Sequence, residues 1–241
     1  MNKSPTLYLI PSPLSEDGFF NYDALGKMMA HVRTFLVEEP KTARRVLKRL
    51  NPPLALEECK FLPLSEHTRP PEFENYLAES AGDIGIISGA GCPCVADPGA
   101  EIVLLAHQKG WKVIPLIGPS SILLALMASG FNGQNFAFNG YLPRERSERV
   151  KKICELEQRS FQENQTQVFM ETPYRNQELL KDILACAQGH TLLSLAVDLT
   201  APGQWIKTMS VTQWQKEKID IHKKLAIFQI YKKNIKERSG R

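Results

Sequence analysis

The chain alternates between two kinds of apolar pattern, and that alternation limits the folds open to it. Short apolar runs of strand length fall at residues 6–10, 34–37, 84–88, 112–117, 135–139, 166–170, 192–197, 205–211 and 224–231. Apolar residues recur at helical spacing over residues 24–32, 41–50, 71–81, 100–109, 118–129, 146–161 and 176–187. Strand–helix–strand order predicts an α/β architecture with mixed, mainly parallel sheets, because a parallel pair needs a crossover that a helix supplies. The last three runs have little helix between them and predict antiparallel pairing at the end of a second sheet. With 241 residues there is material for two compact domains, expected at 1–116 and 117–233, followed by a basic tail at 234–241. Local signals mark helix ends: Asp23 as a cap, Pro52-Pro53 as a stop, Gly82 as a close.

Composition removes several classes. The chain is 43% hydrophobic with 15 Gly and 16 Pro, which fits neither a disordered nor a fibrous protein. The longest apolar stretch, 113–128, is broken by Pro115, Gly118, Pro119, Ser120 and Ser121, so no membrane span is expected. The apolar run after Lys3 is too short for a secretory signal, and the expected compartment is the cytoplasm. Five scattered cysteines and five histidines form no C-x-x-C or H-E-x-x-H pattern, so neither a disulfide framework nor a metal is expected. Net charge is +4, unevenly spread: from Trp214 onward there are nine Lys/Arg against three acids. Such an end is either a solvated tail or an electrostatic contact to nucleic acid. The segment 41–49 carries Lys41, Arg44, Arg45, Lys48 and Arg49 with no acid.

The chemistry-bearing segments lie after strand-like runs. Ser88-Gly89-Ala90-Gly91-Cys92-Pro93-Cys94-Val95-Ala96-Asp97-Pro98-Gly99 is longer than an ordinary βα connection and rich in glycine. It predicts a ligand loop at the carboxyl end of a strand. It lacks the third glycine of G-x-G-x-x-G, and the chain contains no G-K-[ST] or G-x-S-x-G, which excludes the common dinucleotide, Walker-A and hydrolase patterns. Cys92 and Cys94 have no histidine nearby and read as small buried residues. Pro11-Ser12-Pro13 and Gly118-Pro119-Ser120-Ser121 form two further lips, and the three together describe a nucleotide-sized cleft.

These segments, with Gly140-Tyr141-Leu142-Pro143, Val168-Phe169-Met170-Glu171-Thr172-Pro173-Tyr174-Arg175 and Asp198-Leu199-Thr200, occur in the order of a known family. The chain resembles the tetrapyrrole methylase superfamily of S-adenosylmethionine-dependent methyltransferases, and within it the branch of ribosomal RNA small subunit methyltransferase I. The resemblance implies two α/β domains with a cofactor cleft between them, a homodimer, and S-adenosylmethionine as cofactor. It implies cofactor contacts at Pro11, Ala90, Gly91, Cys92, Val95, Ser120 and Ser121, and at Met170 or Glu171 and Leu199. The chain differs from the family pattern at Leu14-Ser15-Glu16-Asp17, at Glu38-Glu39-Pro40-Lys41 and at Val197-Asp198-Leu199-Thr200-Ala201.

The nearest branch implies 2′-O-methylation of a ribose in small-subunit ribosomal RNA. A ribose hydroxyl benefits from a base, and Asp97, Glu171 and Asp198 are the carboxylate candidates. Asp97 reads equally as a helix cap before Pro98. Arg44, Arg144 and Arg175 are candidates for holding substrate phosphate, and a solvated helix face explains such charges equally well. Methylation of a tetrapyrrole or other small molecule, and a nucleotide-binding protein without turnover, are the alternative functions.

Overall fold

The computed structural model describes residues 4–16, 18, 20–50, 54–65, 67–68, 70–80 and 82–233. The expected stop at Pro52-Pro53 and the basic tail at 234–241 lie outside them. The chain divides into two units, Met1–Ser120 and Ser121–Arg241.

The first unit holds strands β1 (Thr6–Ile10), β2 (Thr34–Val37), β3 (Lys60–Pro63), β4 (Ile84–Ile87) and β5 (Lys112–Pro115), in the spatial order β3-β2-β4-β1-β5. Every pairing in this sheet is parallel. Its helices are α1 (Tyr22–Met29), α2 (Pro40–Lys48), α3 (Pro70–Glu79) and α4 (Ala100–Gln108). Side chains alternate along each strand and fill two cores. Tyr8, Ile10, Phe35 and Val37 pack with Leu25 and Met29 of α1 and Ala43 and Leu47 of α2. Leu7, Leu36, Ile84 and Ile86 pack with Phe73 and Leu77 of α3 and Ile102 and Ala106 of α4. A sheet covered on both faces leaves its ends accessible, and a parallel sheet gathers all its carboxyl ends at one edge.

The second unit holds α5 (Ser121–Ser129), β6 (Phe136–Tyr141), α6 (Arg146–Glu163), β7 (Thr166–Met170), α7 (Asn176–Cys186), β8 (Leu192–Val197), β9 (Trp205–Ser210), α8 (Val211–Trp214) and β10 (Ala226–Tyr231). Its order is β6-β7-β10-β8-β9, with β6 parallel to β7 and the other pairs antiparallel. The last three strands therefore pair antiparallel as expected, with β10 inserted beside β7. One face buries Phe169, Leu193, Leu195 and Phe228 against Ile153 and Leu156 of α6 and Leu179 and Ile183 of α7. The other face carries α5, whose Ser129 carbonyl accepts from Thr208 Oγ1 at 2.9 Å.

Three local expectations change. The cap of α1 is Asn21, not Asp23: its side chain accepts from the Ala24 N–H at 3.1 Å, the reach of a short amide at that position. Strand β3 was not expected. The run at 205–211 ends at Ser210, because Ser210 and Gln213 form a capping box that turns the chain into α8. Among the described residues no helix is long and apolar enough to cross a membrane.

Candidate active site

In the first unit the three expected lips meet at the carboxyl edge of the sheet. Ser12, after β1, and Gly91, after β4, exchange backbone hydrogen bonds of 2.9 and 3.0 Å. Two buried hydroxyls lace the same turn: Ser12 Oγ donates to the Ser88 carbonyl at 2.7 Å and Ser88 Oγ to the Gly91 carbonyl at 2.6 Å. The Cys92 thiol donates to the Pro119 carbonyl at 3.4 Å. A Cβ on Gly118 would lie 2.2 Å from the Pro11 ring, so only glycine lets these two lips touch.

The backbone of the long loop is held in sparsely populated conformations. Gly91 has φ of +73°, Cys94 +65°, Ala96 +58° and Gly99 +127°. A side chain in that region costs about 1–3 kcal/mol and persists where the surroundings fix it, which is common at ligand sites. Because the Gly91 N–H is spent on Ser12, Ala90 and Cys92 are what the backbone of this turn can offer a ligand. Ala90 and Val95 are exposed and Cys92 half-buried. Burial, with Asp97 second, pushes the Cys92 thiol up and the Cys94 thiol to about 11, so neither is a thiolate nucleophile.

Asp97 has a different character. Its Oδ2 is buried and has no hydrogen-bond partner. It does not cap α4, whose N-cap is Gly99 with no side-chain cap bond. Burial, and after it the charge of Glu38, pushes Asp97 up to about 6. Glu38 follows β2 and faces Gly89, where a Cβ would stand 3.4 Å from Glu38 Oε2. The sequence marks Glu38 only as part of the departure from the family pattern at Glu38-Glu39-Pro40-Lys41; the further signal it carries is an acid directly after an apolar strand.

The second unit supplies the other candidates. Glu171, after Met170 at the end of β7, is buried; its Oε1 accepts from the Thr172 N–H at 2.6 Å and from the Arg175 guanidinium. Its Oε2 is buried without a partner. Arg175 thus sits on Glu171. Asp198 has both oxygens occupied, by the Leu225 N–H at 3.1 Å and by Lys224 Nζ at 2.8 Å, and it ties β8 to β10. That position suits a clasp and not a base. Leu199 is buried beside it. Arg144 is exposed, its carbonyl accepting from the buried Arg149 at 2.8 Å. Ser120 closes the first unit and Ser121 opens α5. Among the described residues no group of His, Cys, Asp and Glu could hold a metal.

S-adenosylmethionine carries an ammonium, ribose hydroxyls and an adenine amine, all donors. In the second unit, the unpartnered buried carboxylate oxygen of Glu171 is an acceptor suited to such a donor.

No family model matches the chain. Among solved structures it is similar to the methyltransferase CobJ, with a TM-score of 0.60 and 15% identity over 95% of this chain and 94% of that one. It is similar also to uroporphyrin-III-C-methyltransferase from Thermus thermophilus, with a TM-score of 0.52 and 16% identity over 95% and 92%. The fold is that of these methyltransferases. Ribosomal RNA small subunit methyltransferase I of Vibrio cholerae is 31% identical over 214 residues, 88% of this chain and 71% of that protein. The Escherichia coli O157:H7 protein of the same name is 27% identical over 221 residues, 90% and 74%. The chain belongs to the ribosomal RNA small subunit methyltransferase I family. It is an S-adenosylmethionine-dependent methyltransferase.

Proposed function

We propose that the protein methylates a ribose 2′-hydroxyl in small-subunit ribosomal RNA, working in the cytoplasm as a homodimer. The relatives' name supports the RNA, and one observation in the structure carries the acceptor chemistry: Asp97, with a buried unpartnered oxygen, close enough to Glu38 for the two charges to interact. When bound, S-adenosylmethionine supplies an electrophilic methyl group on a sulfonium. Asp97 would accept the hydroxyl proton as the oxygen–methyl bond forms and the donor's methyl–sulfur bond breaks, the thioether leaving; a carboxylate raised toward 6 is ionised at neutral pH and a better base than an ordinary one. Ala90, Cys92, Val95, Ser120 and Ser121 line the donor's side in this reading, with Pro11 and Gly91 shaping the turn. In the second unit, Glu171 has the free oxygen that a donor group of the cofactor would use, with Met170 before it at the end of β7 and Leu199 beyond β8. Arg175 positions Glu171, and Arg44 and Arg144 face the RNA.

Tritiated S-adenosylmethionine, small ribosomal subunits and the purified protein test this, with digestion of the RNA to nucleosides. The expected label is in a 2′-O-methylated nucleoside, lost in Asp97→Asn. Label in a base, or in a small molecule from extract and none in RNA, overturns the reading.

A further inference from the structure

Helix α2 has one buried face and one made of cations. Thr42, Ala43, Val46 and Leu47 are buried, while Lys41, Arg44, Arg45, Lys48 and Arg49 line an open groove of about 460 Å³. The cations stand on successive turns, spaced by about 5.4 Å along the axis. Lys41, Arg44 and Lys48 make no ion pair among the described residues. Arg44 lies over the Phe61 ring at 4.8 Å, which holds its guanidinium without neutralising it. Arg45 pairs with Glu16, and Arg49 donates to the Glu16 carbonyl at 3.1 Å.

The groove leads to the reacting loop. Arg45 and Arg49 also line a neighbouring cavity of about 150 Å³, whose walls include Leu14, Tyr22, Gly89 and Ala90. At the other end, Glu38 closes β2 and Pro40 opens α2, so the cation strip begins within three residues of the Glu38–Asp97 carboxylates. A membrane-binding helix would present apolar residues beside its cations; here the apolar face is spent on the core. What remains is an electrostatic surface, the footprint of a phosphate backbone.

We infer that the basic face of α2 docks the phosphate backbone of the RNA substrate and leads its ribose to the loop at residues 88–99. The inference rests on the reading that the acceptor is RNA.

Its test uses the full chain with Lys41→Glu, Arg44→Glu and Lys48→Glu combined. The control combines Lys27→Glu, Lys109→Glu and Lys112→Glu, an equal charge change at exposed positions elsewhere in the first unit. Affinity for protein-free small-subunit RNA is measured across salt, beside calorimetry with S-adenosylmethionine and a thermal melt. The α2 variant should lose at least roughly tenfold in affinity at low salt, and its log K against log salt slope should flatten by about 2, the release from three phosphate contacts. Cofactor heat should be unchanged, and the control should keep the parent slope. Should the triple variant not fold, Lys41→Gln with Lys48→Gln serves the same comparison, and in the parent RNA should protect Lys41 and Lys48 from acetylation. Equal slopes in variant, control and parent, without protection, overturn the docking site while leaving RNA methylation standing. A parent that binds no RNA overturns both. Parent binding to phosphatidylglycerol vesicles that is lost in the α2 variant, with RNA affinity unmoved, reassigns the face to a membrane and overturns the inference.

Discussion

Asp97 and Asp198 both lie beyond strand ends, yet their surroundings give them opposite chemistry. Asp198 is satisfied by Leu225 and Lys224, and nothing in that arrangement rewards a proton transfer. Asp97 keeps a buried oxygen with no donor and is pushed up to about 6 by burial and by Glu38. The folded chain therefore retains a proton on Asp97 at pH values where the unfolded chain has released it. Stability from this group is present at low pH and is lost as pH rises through about 6. Discounted for solvent screening of a partly exposed carboxyl, the effect is about 1 kcal/mol. Asp97→Asn should thus melt higher than the parent above pH 6, match it near pH 4, and fail in methyl transfer. In the parent, transfer should rise with pH through about 6 and then level. Glu38→Gln removes the neighbouring charge, so its acid limb should move to lower pH, and Glu38→Asp should hold it nearer the parent. A rate profile unmoved in Glu38→Gln would show that another group titrates.

At the scale of elements, packing between helices depends on a few buried charges that hydrophobic periodicity does not reveal. Arg149 of α6 and Asp182 of α7 are both buried; Arg149 Nη2 meets Asp182 Oδ2 at 2.7 Å, and its Nη1 donates to the Arg144 carbonyl at 2.8 Å. The same aspartate accepts from Arg146 Nε at 2.9 Å. Asp182→Ala leaves the Arg149 guanidinium buried without its counter-charge, a loss of about 3–5 kcal/mol. Urea unfolding should show that loss, and Arg149→Met with Asp182→Leu should recover most of it. Elements with a full apolar run, such as β1, β7 and β8, stand within the limits that periodicity predicts. β3 escapes because it is an edge strand of four residues whose Lys60 and Pro63 are exposed, so it lacks the continuous apolar signal of its neighbours. The three lips were legible as loops, since glycine and proline mark them locally. The Glu38–Asp97 interaction was not, because it joins residues 59 apart that only the parallel order β2-β4 brings to one edge.

Across the whole molecule, charge divides between the two units, and the second unit's share is smaller in effect than its count. The segment from Trp214 onward holds nine Lys/Arg against three acids. Several of these cations are already engaged: Lys224 on Asp198, Lys223 over the Tyr174 ring at 5.8 Å and Lys232 over the Phe161 ring at 5.4 Å. The Lys232 N–H also donates to Ser160 Oγ at 2.9 Å, holding the end of β10 against α6. Truncation after Lys233 removes Lys236, Arg238 and Arg241 with Glu237, a net of +2, and leaves those contacts in place. Its RNA salt slope should flatten by no more than about 2. Truncation after Tyr231 also removes Lys232 and Lys233, and should lower the melt through the lost Ser160 bond and Phe161 contact. If the shorter cut flattens the slope with the melt unchanged, the end of the chain adds general affinity to an α2 face that supplies position. If the slope is unmoved by the first cut, the C-terminal cations are solvated charge, and RNA contact from the second unit must come from residues before 234.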